Sequence, residues 1–385
     1  MARWKSWLDR ALAPADAMLV RRSAHEARVA RLSALEGELG DPTRAAPTTI
    51  AAEFDADLQL IAIGHALGRI LQARLARPEI RFALVGHDPA LARKAYHLLD
   101  FGLRPSGFFE GPSDFMFGSQ DLDDLSADTA ELLIVSDDDP AREASLLARI
   151  ALREETRAGL WRVVRLRRLV DAHRSVLRSL VAGRFSTCLT PTKLAGLACA
   201  IALSPGVGVA VEAGVFMGGG TVYLARLQRA LGIERPIFAF DTFSGIPAPG
   251  EQDGDAPFTE GLFAQGTLSA VQANYRTHAV ADDIELVAGL VQETLAARLP
   301  PASQIAFALL DLDQYAGTRA GLDTVVPRLH PRGIIAVDDA DGPGPDAAIE
   351  ETLAAHPELM RCRASTGFDL LLRRDVIGVL SEMPA

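Results

Sequence analysis

The sequence predicts an α/β protein whose C-terminal part holds a Rossmann-like, mostly parallel seven-stranded sheet with helices on both faces. Three observations predict this fold. Apolar strand-like runs alternate with helical runs after residue 185, which is typical of parallel sheets. A glycine-rich turn between Val207 and Thr221 joins a strand run to a helical run. Acidic residues end several strand runs, at the edge where such sheets bind ligands.

The composition is that of a soluble globular protein. Of the 385 residues, 49% are hydrophobic and 23% are charged, which excludes wholesale disorder. The net charge of -11 argues against sequence-independent binding of nucleic acid. Three cysteines without a CxxC pair indicate neither a disulfide framework nor a zinc site. The N-terminus lacks the apolar core of a signal peptide, so we expect a cytoplasmic protein.

Four segments follow one another along the chain. They are an N-terminal helical segment (1–75), a small degenerate Rossmann-like unit (76–150), an arginine-rich helical linker (151–184) and the larger domain (185–385). Residues 1–35 hold seven Lys/Arg against three Asp/Glu. We favour a helix that packs its tryptophans on its own domain, and weak contact with a membrane surface is the alternative. A homo-oligomer also stays open.

The small unit has strand runs at Ile80–Val85, Ser106–Glu110 and Glu131–Ser136. The turn after the first run, Gly86–Pro89, lacks the repeated glycines that seat a pyrophosphate, and a helix N-cap at Asp88 explains it without a nucleotide. His87 and His97 have no sequence-adjacent partner and stay unassigned. From Arg157 to Arg184, eight arginines against one acid favour a solvated helix face or an inter-domain connector over a phosphate or membrane site.

The stretch Val207–Thr221, VGVAVEAGVFMGGGT, predicts a strand, a glycine turn and a helix start. In such a turn the free N–H groups at the helix start face a ligand. Asp241 ends the next strand run, where an acid can accept hydrogen bonds from both ribose hydroxyls of an adenosyl or dinucleotide ligand. The alternative for Asp241 is a helix N-cap. Taken together, the turn and the acid favour the ligand.

Further acids end the strand runs Ile305–Asp313 and Gly333–Asp339. Asp311, Asp338 and Asp339 are expected to converge, and their repulsion would be relieved by a cation. Oxygen-only ligands suit Mg²⁺. Acids that cap helices or face water are the alternative, and for Asp313 we favour that alternative.

These segments resemble the macrocin O-methyltransferase family over about residues 185–355. The resemblance is carried by VEAGVFMGGGT (211–221), FDTFSGIP (240–247), GLVQETL (289–295), LDLDQYAGT (310–318) and RGIIAVDDA (332–340). It implies a class I methyltransferase fold and transfer of a methyl group from S-adenosylmethionine, with Mg²⁺, to a sugar hydroxyl of a small molecule or glycan. Met217, Leu312 and Ala316 depart from the family pattern, which leaves the acceptor open.

The resemblance also implies roles for individual residues. Asp311, Asp338 and Asp339 match the metal ligands, and Asp311 is the candidate catalytic base. The residues expected around the cofactor are Glu212, Ala213, Gly214, Val215, Phe216, Gly218, Gly219, Asp241, Thr242, Phe243, Ser244, Gly245 and Thr267. A bulky residue at Gly214 or Gly218 is expected to abolish cofactor binding while the protein stays folded.

Three alternatives remain beside this hypothesis. The same fold could act without a metal if the acids are structural. A binding or scaffold protein would keep the cofactor and methylate nothing. A nicotinamide oxidoreductase would use the small unit, against which the missing glycine pattern at Gly86–Pro89 argues.

Overall fold

The N-terminal part of the described chain forms a small parallel sheet. The computed structural model describes residues 56–75, 80–88, 103–111, 119–157, 162–182, 187–255, 258–363 and 368–374, which lie in one compact unit, Pro47–Ala385. The sheet contains β1 (Ile80–Val85), β2 (Leu103–Phe109), β3 (Leu132–Val135) and β4 (Arg162–Arg165), in the order β2–β1–β3–β4. All neighbouring pairs are parallel. The accompanying helices are α1 (Ala56–Leu75), α2 (Pro140–Leu152), α3 (Glu154–Arg157) and α4 (Leu166–Ala182).

The expectation that residues 151–184 are entirely helical is wrong, because β4 lies inside this segment. Its residues Arg162–Arg165 pair with Leu132–Val135 of β3. The sequence RVVR reads as part of an arginine-rich helix face, and only the long-range pairing with β3 makes it a strand. Charged residues are common on edge strands, where they discourage pairing with another chain.

The arginines of this segment are bound to acids of the small unit. Arg165 forms an ion pair with Glu143, and Arg167 lies 3.1 Å from Asp88. Two of the eight arginines between Arg157 and Arg184 are thus paired with acids of the small unit. This agrees with a connector beside acidic neighbours rather than with a phosphate site.

Seven strands form the larger sheet: β5 (Val209–Ala213), β6 (Ile237–Asp241), β7 (Ile284–Ala288), β8 (Ile305–Leu310), β9 (Leu329–Val337), β10 (Leu359–Arg363) and β11 (Asp369–Arg373). Their order is β10–β11–β9–β8–β5–β6–β7. Only β11 runs against its neighbours, since both its pairings are antiparallel. The mostly parallel seven-stranded α/β fold predicted from the sequence is confirmed.

Helix α5 (Pro191–Leu203) precedes β5, and five helices connect the strands: α6 (Gly219–Leu231), α7 (Leu268–Thr277), α8 (Val291–Arg298), α9 (Tyr315–Val325) and α10 (Pro343–Ala355). Thr190 caps α5 by accepting the Lys193 N–H at 3.2 Å, with Pro191 at the first helical position. The pair Thr190-Pro191 is a sequence pattern typical of a helix start, and the structure confirms it. Pro fits there because its missing N–H has no partner within a helix.

The core lies around the central strands of the larger sheet. Every residue of β5 and β8 is buried, as expected for strands covered on both faces. Helix α1 packs against α5 and against β10 and β11, so a segment from before the small sheet completes the larger one. Helix α4 packs against α6, where His173 Nδ1 lies 2.7 Å from the Tyr223 hydroxyl.

Several predictions fall outside the described residues. They include the N-terminal helix with Trp4 and Trp7, its contact with a membrane surface, and His97. Within the described part of the chain, no helix is long and apolar enough to cross a membrane.

Candidate functional site

The predicted site residues gather at the carboxyl edge of the larger sheet. Strands β9, β8, β5 and β6 are consecutive neighbours and parallel, so the residues that follow them share this edge. The contact is direct, since the Asp311 N–H donates to the Ala213 carbonyl at 2.8 Å. The glycine turn and the acid-bearing strand ends therefore form one site.

Gly214 is required by strand packing, which corrects the expectation for its replacement. Its φ is +92°, and an added Cβ would overlap the carbonyl oxygen of Asp311. Gly218 has φ +84°, and a Cβ there would come within 2.7 Å of the Tyr275 ring. Because both substitutions strain the backbone and displace neighbours, they would disturb the fold and would not isolate cofactor binding.

Asp241 holds the turn in place. Its Oδ2 accepts the N–H groups of Val215 at 2.7 Å and Phe216 at 2.9 Å, while Oδ1 accepts the N–H of Phe243 at 2.8 Å. Asp241 therefore closes a turn, and the helix N-cap considered for it is not observed, because residues 242–250 form no helix. A contact between Asp241 and ribose hydroxyls stays a prediction. Since a carboxylate oxygen accepts about two hydrogen bonds and Oδ2 already accepts two N–H groups, Oδ1 is the atom that would accept a ribose hydroxyl.

Helix α7 supports the glycine turn from outside the sheet. Thr267 caps α7 by accepting the Ala270 N–H at 3.3 Å. From the same helix, the Asn274 side chain donates to the Met217 carbonyl at 2.7 Å. In the loop after β6, the Thr242 hydroxyl donates to the Gly245 carbonyl at 2.8 Å. Hence Thr242 and Thr267 shape the loops around the pocket, and any direct contact with a cofactor stays a prediction.

Left-handed backbone marks the end of each of these four strands. The non-glycine residues with positive φ at these ends are Phe216 (50°) after β5, Phe243 (54°) after β6, Asp313 (60°) after β8 and Asp339 (49°) after β9. Each costs conformational energy, and such residues cluster at functional sites. No sequence pattern predicts left-handed backbone at these four positions, because none of the four residues is glycine.

The acids after β8 and β9 form a cluster, with one difference from the expected set. Carboxylate oxygens of Asp311, Asp313 and Asp339 lie within 4.8 Å of one another. Asp338 is engaged elsewhere, since its Oδ1 lies 2.5 Å from the Lys193 ammonium and also accepts the Asp339 N–H at 2.9 Å. Asp313, which the sequence favours as a cap, lies in the cluster.

The cluster is electrostatically strained. Burial and the carboxylates of Asp338, Asp313 and Asp339 raise the pKa of Asp311 well above its usual value. Burial and Asp339 likewise raise the pKa of Asp313. Burial raises the pKa of Asp338 to about 6, although Lys193 opposes that rise. Burial lowers the pKa of Lys193, but the carboxylates of Asp338 and Asp339 raise it more, so the pKa of Lys193 lies above its usual value. The Lys193–Asp338 pair is therefore an ion pair.

The residues of the cluster fit a divalent metal. Three carboxylates within ligand distance of one another, each with oxygen donors, suit Mg²⁺, and a cation would relieve the repulsion that raises their pKa values. Lys193 already supplies one positive charge beside Asp338. The fit is therefore better for Asp311, Asp313 and Asp339 than for the set that includes Asp338.

Sequence reasoning missed Lys193, Tyr275 and Leu290. Lys193 lies in the first turn of α5, where the helix dipole disfavours a cation. A lysine at such a position indicates an acidic partner nearby, which here is Asp338. Leu290 follows β7 with 37% of its side chain exposed. The N–H of the preceding residue, Gly289, donates to the Asp241 carbonyl at 2.9 Å. For Tyr275 the sequence held no signal.

At the small sheet, the Asp137 carboxylate binds the backbone N–H that follows β1. The N–H of His87, after β1, donates to Asp137 Oδ2 at 3.0 Å, and Arg142 pairs with the same carboxylate at 3.0 Å. Asp88 Oδ2 accepts the Ser136 hydroxyl at 2.9 Å. Within the residues described, these contacts give the turn partners inside the protein, and the absence of a nucleotide there stays a prediction.

The comparisons with known proteins concern the larger domain. Residues 198–356 match the family model described as Macrocin-O-methyltransferase (TylF), which confirms the predicted family resemblance for this segment. A tetracenomycin-C rhamnosyl 4'-O-methyltransferase of Streptomyces olivaceus is 32% identical over 146 residues, 36% of this chain and 55% of its own. The mycinamicin III 3''-O-methyltransferase of Micromonospora griseorubida is 28% identical over 165 residues, 40% of this chain and 64% of its own. The chain thus spans between half and two thirds of these curated relatives.

Solved structures also align with the chain. The O-methyltransferase NovP is 21% identical and covers 58% of this chain and 89% of its own, with a TM-score of 0.40. The calicheamicin methyltransferase CalS11 is 24% identical and covers 61% of this chain and 85% of its own, with a TM-score of 0.37.

Proposed function

We propose that this protein is an S-adenosylmethionine-dependent O-methyltransferase that acts on a sugar hydroxyl of a glycosylated metabolite. The observation that carries the proposal is the contact between two half-sites. The turn held by Asp241 and the cluster around Asp311 meet through the Asp311–Ala213 hydrogen bond at one edge of a parallel sheet. The family match of residues 198–356 and the sugar methyltransferases among the relatives support the choice of reaction.

The cofactor would lie across the carboxyl ends of β5, β6 and β7. The turn Ala213–Gly219 and the loop Thr242–Gly245 would line it, and Asp241 would accept hydrogen bonds from the ribose hydroxyls. The half-exposed Leu290 offers an apolar surface beside Asp241 for the adenine ring. Positioning of the donor beside the acceptor is the main contribution of such a pocket, worth up to ~10 kcal/mol in favourable cases.

The acid cluster would handle the acceptor. Asp311, Asp313 and Asp339 would hold Mg²⁺, which when bound supplies a Lewis acid that lowers the pKa of the acceptor hydroxyl. Asp311 is the proposed base, and Asp313 lies close enough to share that role. The bond that forms joins the acceptor oxygen to the methyl carbon, the methyl–sulfur bond breaks, and the hydroxyl proton passes to the carboxylate.

The first test is calorimetric titration with S-adenosylmethionine. We expect wild type to bind and Asp241→Asn to bind at least about tenfold more weakly. The substitution removes the charge of the carboxylate that accepts the turn's N–H groups and is proposed to bind the ribose, so these hydrogen bonds become weaker. Asp139→Asn is the matched control, since Asp139 also accepts a backbone N–H, from Ala141 at 2.8 Å, but belongs to the small sheet. Equal affinity of Asp241→Asn and wild type, or no binding by either, contradicts the pocket assignment.

The second test is turnover. A rhamnosylated metabolite and its sugar-free aglycone are offered with S-adenosylmethionine, and formation of S-adenosylhomocysteine is followed with and without EDTA. The proposal expects turnover only with the sugar present and loss of turnover with EDTA. Unchanged activity in EDTA would support the metal-independent alternative, which the Lys193–Asp338 ion pair favours because it provides a resident cation.

A further inference from the structure

Asp253 is a buried carboxyl group in an otherwise exposed segment. Residues 247–252, 254 and 255 are exposed, whereas Asp253 has 1% of its surface exposed. Its Oδ1 accepts the Tyr315 N–H at 2.6 Å, and its Oδ2 accepts the Gly250 N–H at 2.7 Å. A Cβ on Gly344 would overlap Oδ1, so the carboxyl group fits there because position 344 is a glycine. The bond to Gly250 closes the loop locally, and the bond to Tyr315 reaches a residue 62 positions away.

This carboxyl group joins three parts of the larger domain. Asp253 belongs to the segment 247–254, which lies between β6 and α7. Tyr315 is the first residue of α9, which follows β8, and Gly344 lies in the first turn of α10, which follows β9. The N-terminal ends of helices favour negative charge, so a carboxylate stabilises this junction. The segment 247–254 is therefore fastened to the helices that begin just after the acid-bearing strands.

A second bond fastens the same segment to the neighbouring residue. The Gln314 side chain is buried and donates to the Pro247 carbonyl at 2.9 Å. Gln314 and Tyr315 directly follow Asp313, whose φ of +60° is unfavourable for a residue that is not glycine. Such a conformation persists only where the surrounding structure imposes it. Both residues after Asp313 are held by the segment 247–254, which thus supports the backbone that places Asp313 in the acid cluster.

We propose that Asp253 is a positioning residue for the acid cluster: it holds the start of α9 and thereby keeps Asp313 within ligand distance of Asp311 and Asp339. The inference rests on the proposed function, in which this cluster holds Mg²⁺. Asp253 lies outside the cluster and acts through the backbone of Tyr315. A residue after β6, the strand that ends in Asp241, thus sets the geometry of the acceptor half of the site.

The experiment is Mn²⁺ binding by the full chain, measured as free Mn²⁺ by electron paramagnetic resonance. Asp253→Asn keeps the size of the side chain but turns an amide NH₂ towards one of the two N–H donors, so one bond is lost. We expect its Mn²⁺ affinity to be lower than that of wild type by roughly fivefold or more. Calorimetry should show an unchanged affinity for S-adenosylmethionine, because the loop after β6 has its own anchors: Ile246 exchanges backbone hydrogen bonds with Leu262 and Gly261, each at 2.8 Å.

Asp137→Asn is the matched control. Asp137 is also buried and also accepts two backbone N–H groups, from His87 at 3.0 Å and Asp139 at 2.8 Å, but it belongs to the small sheet. This substitution should lower the stability of the fold and leave the Mn²⁺ affinity unchanged. The split between metal and cofactor affinity, together with this control, distinguishes positioning from a general structural role.

Gln314→Met is the second variant, which removes the bond to Pro247 and keeps the bulk of the side chain. It should also lower the Mn²⁺ affinity, and it tests the same role if Asp253→Asn does not fold. An unchanged Mn²⁺ affinity in either folded variant overturns the inference and leaves the proposed function standing. An equal loss in Asp137→Asn, or an equal loss of Mn²⁺ and S-adenosylmethionine affinity, also overturns it. Absence of Mn²⁺ binding by wild type removes the metal from the proposed function, and the inference with it.

Discussion

At the residue scale, the acids after β8 and β9 differ in their partners rather than in their chemistry. Asp338 is bound by Lys193, whose ammonium also lies 5.5 Å from the centre of the Phe368 ring. Asp311, Asp313 and Asp339 face one another instead. In a sequence these four positions look alike, so the division of roles among them depends on the helix α5 that brings Lys193 to the strand ends.

This division predicts how the cluster binds divalent metal. Lys193→Met should raise the affinity for Mn²⁺ by roughly fivefold or more, because it removes a positive charge next to the carboxylates. Asp313→Asn should lower that affinity. The measurement is free Mn²⁺ by electron paramagnetic resonance.

Arg298→Met is the matched control for charge, since Arg298 pairs with Glu285 at the exposed far strand β7. An equal gain in both variants would show a general effect of net charge. An unchanged affinity in Lys193→Met would contradict the arrangement of the cluster.

At the scale of elements, Gly214 joins β5 to the end of β8. Gly214→Ala should lower the free energy of unfolding by about 3 kcal/mol or more, because the new Cβ overlaps the Asp311 carbonyl oxygen and the φ of +92° strains the backbone. The measurement is guanidinium denaturation followed by circular dichroism. Gly206→Ala is the control, with nothing within 4 Å of the new Cβ and an expected effect within about 0.5 kcal/mol. Equal midpoints for the two variants would refute the packing role.

Helices α4, α5 and α6 meet at the Tyr223 hydroxyl. It donates to the Leu194 carbonyl at 2.9 Å and lies 2.7 Å from His173 Nδ1, all of them buried. Tyr223→Phe should cost about 1–3 kcal/mol of stability, since the buried Leu194 carbonyl loses its donor from outside the helix and His173 Nδ1 loses the hydroxyl, both without access to water. Thermal unfolding measures this, with Tyr315→Phe, which removes an exposed hydroxyl bonded to Glu351, as comparison. A loss no greater than in Tyr315→Phe would show that the hydroxyl contributes nothing.

At the scale of the whole molecule, buried titratable groups link stability to pH. The pKa of Glu212 is about 8 in the folded protein, above the usual value of 4.5, because burial disfavours the carboxylate. Its stabilising contribution is complete below about pH 4.5 and is lost as the pH rises through 8. His173 has the opposite sign, since burial lowers its pKa to about 3 and stability rises with pH up to about 6.5.

The window from pH 6.5 to 8 therefore isolates the carboxyl groups. We expect the stability of the ligand-free wild type to fall across this window, with a contribution from Glu212 on the order of 1 kcal/mol. Glu212→Gln should show a shallower fall, and Glu285→Gln, at an exposed position on β7, should keep the wild-type slope. Denaturation curves at four pH values measure this. Identical slopes in wild type and Glu212→Gln would contradict the burial of an ionisable Glu212.

The sequence by itself determined the larger sheet and the place of the site. Continuous apolar runs such as Ile305–Leu310 identify buried parallel strands, and the carboxyl ends of such strands are where polar residues converge. The glycine turn, Asp241 and the acids at 311, 338 and 339 were located by this rule. Local chemistry was also readable, as in the caps at Thr190 and Thr267.

Only the tertiary structure decided which residues meet. The strand at Arg162–Arg165, the ion pair of Lys193 with Asp338 and the hydrogen bond from the Tyr315 N–H to Asp253 each join positions far apart in the chain. The lack of space for a Cβ at Gly214 and the left-handed backbone of Phe216 and Asp339 were likewise decided by the tertiary structure. A sequence pattern reports periodicity and local propensity, whereas these features arise from contacts between elements that only the folded chain brings together.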